Sequence, residues 1–141
     1  MDVFTEEKRR EIMSRVRNRN TRQEVLVRSL LHRLGYRFRL HRSDLPGTPD
    51  IVLPKHRTVV FVHGCFWHGH SCPRGKLPET RRAFWKAKIE RNAERDRDAR
   101  QELETLGWRV VVVWGCETSS LVRLTELGHR LVREIGVRGS R

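Results

Sequence analysis

The sequence predicts one α/β domain in which a mixed sheet is flanked by helices, in the order α-β-β-β-α-β-α. Three segments carry that expectation. A helix opens on Thr21-Arg22-Gln23-Glu24 and stops at Gly35, two strands fold back across Pro54 to Arg57, and a valine-rich run from Trp108 to Trp114 follows a long helical stretch. With 141 residues and 16.7 kDa, the chain has room for one core rather than two full domains. Residues 1–20 read as a basic N-terminal segment ahead of a domain over 21–141.

Within that first segment, Thr5 to about Arg17 predicts a basic helix, with Thr5 as N-cap, Glu6 and Glu7 in its electropositive first turn, and Ile12, Met13 and Val16 on one side. The helix from Thr21 has capping-box spacing, and Leu26, Leu30, Leu31 and Leu34 follow at helical intervals. Tyr36 to Leu40 alternates as a half-buried strand does, and Ser43 to Pro49 reads as a loop. Asp50–Leu53 and Thr58–Val62 make a hairpin. Centred on its turn, paired numbers sum to about 111, which sets Asp50 opposite Phe61, or Val62 after a one-residue slip. Thr80 to Leu106 predicts a helix ended by Gly107. Its inner stripe is Trp85, Ile89, Asn92, Asp96, Ala99, Leu103 and Leu106, in which two members are polar. Trp108–Trp114 suits a strand buried on both faces, and Ser119 or Ser120 caps a last helix carrying Leu121, Leu124, Leu131 and Ile135.

Charge narrows the partner. Lys and Arg number 30 against 17 Asp and Glu, a formal net charge of +13, and all but five of the bases are arginine. Such an excess favours a polyanion, nucleic acid before an anionic membrane surface. Apolar runs such as Val110 to Trp114 fall far short of the ~20 residues a membrane span needs. The N-terminus carries no apolar leader, so a cytoplasmic location and no membrane partner are expected. Three reduced cysteines are an odd number that cannot pair off internally, and metal binding is the better use for them.

The densest chemistry lies in His63-Gly64-Cys65-Phe66-Trp67-His68-Gly69-His70-Ser71-Cys72, with Cys116 arriving after the later strand. Cys65, His70, Cys72 and Cys116 supply three thiolates and an imidazole, the donor set of a closed structural zinc site. The competing reading makes the cysteines small buried hydrophobes, although two of them lie in polar loops. His63, His68 and His70 compete for the nitrogen ligand. His70, two residues before Cys72, is preferred, which leaves His68 nearby for proton transfer or as a surface histidine. Asp50, following Pro49 at a strand start, can present a carboxylate to Mg²⁺. Asp96 on an inward stripe either orients His68 or pairs with an arginine. The capping box already accounts for Glu24. Phe66, Trp67 and Trp85 are candidate wedges between base pairs, with core packing as the alternative, strongest for Trp85.

Pro46-Gly47-Thr48-Pro49-Asp50, Val60-Phe61-Val62-His63-Gly64-Cys65-Phe66-Trp67-His68, Arg91-Asn92-Ala93-Glu94-Arg95-Asp96 and Gly107-Trp108-Arg109-Val110 together resemble the very-short-patch repair (Vsr-type) DNA endonucleases over about residues 8–116. The resemblance implies a restriction-endonuclease-like fold and a nick 5′ to the thymine of a T:G mismatch left by deamination of 5-methylcytosine. It implies Mg²⁺ at Asp50 and the Val62 main-chain carbonyl, His68 as general base oriented by Asp96, His63 on the phosphate, and Glu24 assisting. It further implies structural zinc on Cys65, His70, Cys72 and Cys116, and a wedge of Phe66, Trp67 and Trp85. Met13 would make a minor-groove contact from the DNA-contacting segment 1–20, and Lys88 with Asn92 would read the mismatch. Partners would be mismatched duplex DNA and other mismatch-repair proteins, met by a monomer at the bacterial nucleoid. Val62 stands where a relative carries Thr, and Gly69 interrupts what can be a histidine run. A nuclease of the same fold with another DNA target, or a noncatalytic zinc-dependent DNA-binding module, are the alternatives.

Overall fold

The structure, a computed structural model, describes residues 21–136. The predicted helix from Thr5 to Arg17, Met13 within it and the boundary of the segment 1–20 lie outside the described residues. The described elements are α1 (Arg22–Arg33), β1 (Arg39–Leu40), β2 (Ile51–Leu53), β3 (Thr58–His63), α2 (Arg82–Thr105), β4 (Arg109–Trp114) and α3 (Leu121–Ile135), joined in part by short 3₁₀ turns. This is the predicted order.

The four strands lie in the order β1-β2-β3-β4. β1 with β2 and β2 with β3 are antiparallel, while β3 and β4 are parallel and joined by α2, the crossover that a parallel pair requires. Ile51 faces Val60 and Leu53 faces Thr58, the expected register, which extends to Asp50 opposite Phe61. Because side chains alternate along each strand, the sheet feeds two cores. Ile51, Leu53, Val60, Val111 and Val113 pack with Val27 and Leu31 of α1 and with Leu127, Leu131 and Ile135 of α3. Val52, Val59, Phe61 and Val110 pack on the other side with Leu103 of α2 and with Trp108. Helices therefore cover both faces, which explains why β2 is buried at all three positions.

Local signals account for the ends of the elements. The Thr21 hydroxyl accepts from the Glu24 N–H at 3.2 Å, so the expected cap forms. Ser120 caps α3 the same way, through the Arg123 N–H at 3.1 Å. The first strand is shorter than its alternation predicts. The Tyr36 N–H donates to the Leu31 carbonyl at the end of α1, so that residue closes a helix rather than joining a sheet, and only Arg39 and Leu40 pair. The α2 stripe holds for Ile89 and Leu103, which are buried, and for the half-buried Trp85, Asn92, Asp96 and Ala99. Leu106 leaves it at 55% exposed, because the helix has already ended at Thr105.

Candidate active site and metal centre

Both candidate centres form where β3 and β4 leave the sheet. β3 ends at His63 and β4 at Trp114, which are register partners, so the segments that follow start side by side. After β3 the chain turns tightly. The His68 N–H donates to the Gly64 carbonyl at 3.2 Å and the His70 N–H to the Cys65 carbonyl at 2.9 Å. This turn returns Cys65, His70 and Cys72 toward Cys116, which lies in the 3₁₀ turn Gly115–Thr118.

Asp50 is the carboxylate of the first centre. Its Oδ2 accepts from the Val62 N–H at 2.7 Å, fixing it across the β2–β3 pair. Burial is the largest influence on this group and raises its pKa from 3.8 to about 7; the Val62 N–H opposes the rise, and the neighbouring Glu24 carboxylate adds to it. Glu24 is itself only 2% exposed. Its Oε2 takes the Arg28 guanidinium at 2.8 Å and its Oε1 lies 2.7 Å from His41 Nε2. Ligand atoms of Glu24, His41 and Asp50 all lie within 4.8 Å of one another. Two carboxylates crowded in a corner stripped of water repel, and a divalent cation with oxygen ligands is the species that would offset this.

On the α2 side of the same sheet end lies an imidazole–carboxylate pair. His68 Nδ1 is 2.6 Å from Asp96 Oδ2, as one of the two readings of Asp96 requires. With Asp96 accepting the Nδ1 proton, Nε2 is left as a proton acceptor. His63 stacks beneath His68, with ring centroids 3.9 Å apart and planes 3° from parallel, and its Nε2 is 3.9 Å from Asp96 Oδ1. Burial, reinforced by His68, lowers the His63 pKa from 6.5 to about 4, so this ring is neutral at physiological pH. A neutral imidazole can hydrogen-bond a phosphate but brings no positive charge to it.

The second centre gathers Cys65, His70, Cys72 and Cys116, whose ligand atoms lie within 4.8 Å of one another. His70 Nδ1 is 3.7 Å from Cys116 Sγ, and the Cys116 N–H donates to Cys65 Sγ at 3.3 Å. Burial pushes the Cys65 thiol up to about 12. At Cys72 burial acts in the same direction but is outweighed by His70, Cys65 and the N–H groups of Arg74 and Gly75, giving about 6. Crowded thiols of such unequal acidity become three thiolates together only around a cation, so the donor set fits a bound metal. Of the three competing histidines, His70 is the one placed here. Gly75 closes the loop so tightly that a Cβ would lie 1.9 Å from the His70 carbonyl oxygen. Gly69, the departure noted in the sequence, sits at φ +68 with a Cβ position 2.9 Å from Ile89 Cγ2. Glycine therefore suits the backbone there, and the proposed ligand set is intact.

Phe66, Trp67 and Trp85 form one half-buried cluster, with pairwise ring centroids at 5.2, 5.5 and 5.7 Å. Lys88 and Asn92 turn toward that cluster. Asn92 Nδ2 donates to the Trp67 carbonyl at 2.9 Å and Lys88 Nζ lies 5.9 Å from the Trp67 ring centroid. His41, Arg28 and Trp114 are not singled out by the sequence reading. Only the observed β1–β2 pairing reveals His41: Leu40 pairs with Ile51, and one more step along that register sets His41 against Asp50. Trp114 stacks on His70 at 4.2 Å and meets His63 edge-on at 5.3 Å, so one ring joins the two centres.

The sequence profile described as DNA mismatch endonuclease Vsr matches residues 1–74. The chain is 59% identical to the type II nicking enzyme V.XorIIP of Xanthomonas oryzae, over 85% of this chain and 88% of that one. It is 47% identical to the type II nicking enzyme V.NmeAIP of Neisseria meningitidis, over 95% and 96% respectively. With the DNA mismatch endonuclease Vsr of Escherichia coli it shares 43% identity, over 89% of this chain and 80% of that protein.

Proposed function

The chain belongs to the Vsr family of DNA mismatch endonucleases, and we propose that it nicks one strand of duplex DNA 5′ to the thymine of a T:G mismatch, using Mg²⁺. The observations that carry this reading are the buried Asp50 carboxylate, held by the Val62 N–H near the end of β3, and the His68–Asp96 pair in the segment that follows the same strand. Asp50, with the Val62 carbonyl, would hold the ion. When bound, it supplies positive charge to an anionic phosphodiester.

His68 accepts a proton from the attacking water at Nε2 while Asp96 holds Nδ1 and keeps the ring's orientation. The neutral His63 beneath it supports the ring and is available to the phosphate as a hydrogen-bonding group. Phe66, Trp67 and Trp85 press into the duplex, where a T:G pair is a weakened and deformable step. Lys88 and Asn92 stand beside Trp67 and would meet the mismatch there. Cys65, His70, Cys72 and Cys116 would hold Zn²⁺, which would serve a structural role there.

A panel of otherwise identical duplexes bearing T:G, other mismatches or no mismatch, incubated with Mg²⁺ or a chelator and mapped for cuts, tests this. A single nick 5′ to the mispaired thymine, dependent on Mg²⁺, is expected. Equal cutting of the fully paired duplex would assign a different target on the same fold, and DNA binding without any cut would leave a binding module.

The raised Asp50 pKa has a measurable sign. Between about pH 4 and 7 the unfolded chain has released this proton and the folded chain still holds it, so the folded state binds more protons. Without divalent ion, this group therefore costs stability progressively as pH rises through that window. Thermal midpoints of wild type minus those of Asp50→Asn should fall from pH 5 to pH 7. Added Mg²⁺ should recover more of that loss at pH 7.5 than at pH 5, where the proton competes for the carboxylate. A difference that is flat across this range would contradict the assignment.

A further inference from the structure

We propose that His41 is a positioning residue of the cation centre, holding Glu24 against Asp50; the proposal rests on the reading of Asp50 as the divalent-ion ligand. Three observations converge on it. His41 continues the β1–β2 register beyond Leu40 and Ile51, and its N–H donates to the Asp50 carbonyl at 3.1 Å. Its backbone stands at φ +47, a left-handed conformation uncommon for a residue with a Cβ, and such departures gather where a side chain must be aimed. The side chain is aimed at Glu24, with Nε2 2.7 Å from Oε1.

Glu24 comes from α1, a different element from Asp50, and something must set the angle at which the two carboxylates meet. Arg28 holds Oε2 from one turn along the same helix, and a side-chain hydrogen bond joins Glu24 to Asp50. His41 takes the other oxygen. Because it is anchored by its own backbone to Asp50, it ties the acid on the helix to the acid on the sheet through one residue. The ligand atoms of all three then fall within 4.8 Å. In this arrangement Nε2–H donates to Glu24 and does not bind the ion, which distinguishes positioning from direct ligation.

Mn²⁺ serves as the probe, titrated into full-length protein as purified and read by electron paramagnetic resonance, which reports both binding and any directly bonded nitrogen. His41→Ala should weaken Mn²⁺ binding on the order of tenfold. His41→Gln, which keeps an N–H donor for Glu24, should restore most of the loss, and the wild-type spectrum should carry no coupling from a ligating imidazole nitrogen. Unchanged binding in His41→Ala, no recovery in His41→Gln, or a strong nitrogen coupling in wild type would each overturn the proposal. Asp50→Asn separates it from the reading beneath it. If Asp50→Asn abolishes binding while His41→Ala leaves it intact, only the His41 proposal falls; if Asp50→Asn has no effect, the cation site itself is misplaced. Thermal midpoints recorded alongside distinguish a weakened site from a misfolded chain, and the His41→Gln comparison decides the matter should His41→Ala fail to fold.

Discussion

Asp50→Asn is expected to lose about three orders of magnitude or more in nicking rate, since it removes charge from the ion's anchor and such ions contribute several kcal/mol to charge stabilisation in the transition state. His68→Ala is expected to lose roughly 10² to 10⁴-fold, the usual contribution of a positioned base. Both variants should bind duplex DNA nearly as wild type does, because the basic surface and the Phe66–Trp67–Trp85 cluster are untouched. Single-turnover cleavage beside a gel-shift titration makes the comparison. The two substitutions also differ in stability. Asn has the shape of Asp without its charge, so Asp50→Asn should be the more stable protein near pH 7 in the absence of ion, because it removes a carboxylate that burial disfavours. His68→Ala leaves Asp96 without its 2.6 Å partner and opens a gap above the His63 ring. Wild-type rates in both variants would remove the active site from this end of the sheet.

The second large effect concerns the cysteines. Cys65→Ser and Cys116→Ser should each lose bound zinc and lower the thermal midpoint together, on the order of 10 °C or more, because binding energy at a structural site is folding energy. The fold explains the size of the effect. Cys65 follows β3 and Cys116 follows β4, so a metal joining them fastens the chain just beyond the paired ends of two parallel strands whose covalent connection runs through the whole of α2. Metal content by atomic absorption and melting by circular dichroism provide the two readouts. Protein as purified that carries no zinc, or a serine variant with full zinc and an unshifted midpoint, would reject the assignment.

Where a local rule acts alone, the sequence was a sufficient guide. Thr21 and Ser120 cap their helices as their side chains allow, and of the two hairpin registers the sequence left open the one centred on the turn is found. Clustering of Cys65, His70, Cys72 and Cys116 was readable from donor type and placement, and the His68–Asp96 contact from a polar member on an apolar stripe. What escaped depends on competition between elements. Tyr36 alternates like a strand residue but is claimed by the end of α1, and its hydroxyl donates to the Gly136 carbonyl after α3, a contact spanning nearly the whole described chain. Spacing alone assigns Glu24 to the helix cap, and only the family resemblance gave it a second task. Its carboxylate turns away from the helix terminus to Arg28 and His41. Trp114 reads as the last apolar residue of a strand, and only the parallel pairing with β3 places it between His63 and His70.

The loop bearing Phe66 and Trp67 is rooted at both ends, by Cys65 on one side and Cys72 on the other, in a cluster that also grips the end of β4. A load placed on those two rings thus cannot be absorbed by bending the loop. It travels into two hydrogen-bonded strands packed on both faces. Mechanically the segment is a cantilever rather than a tether, and its compliance is set by whether the four anchoring atoms hold an ion.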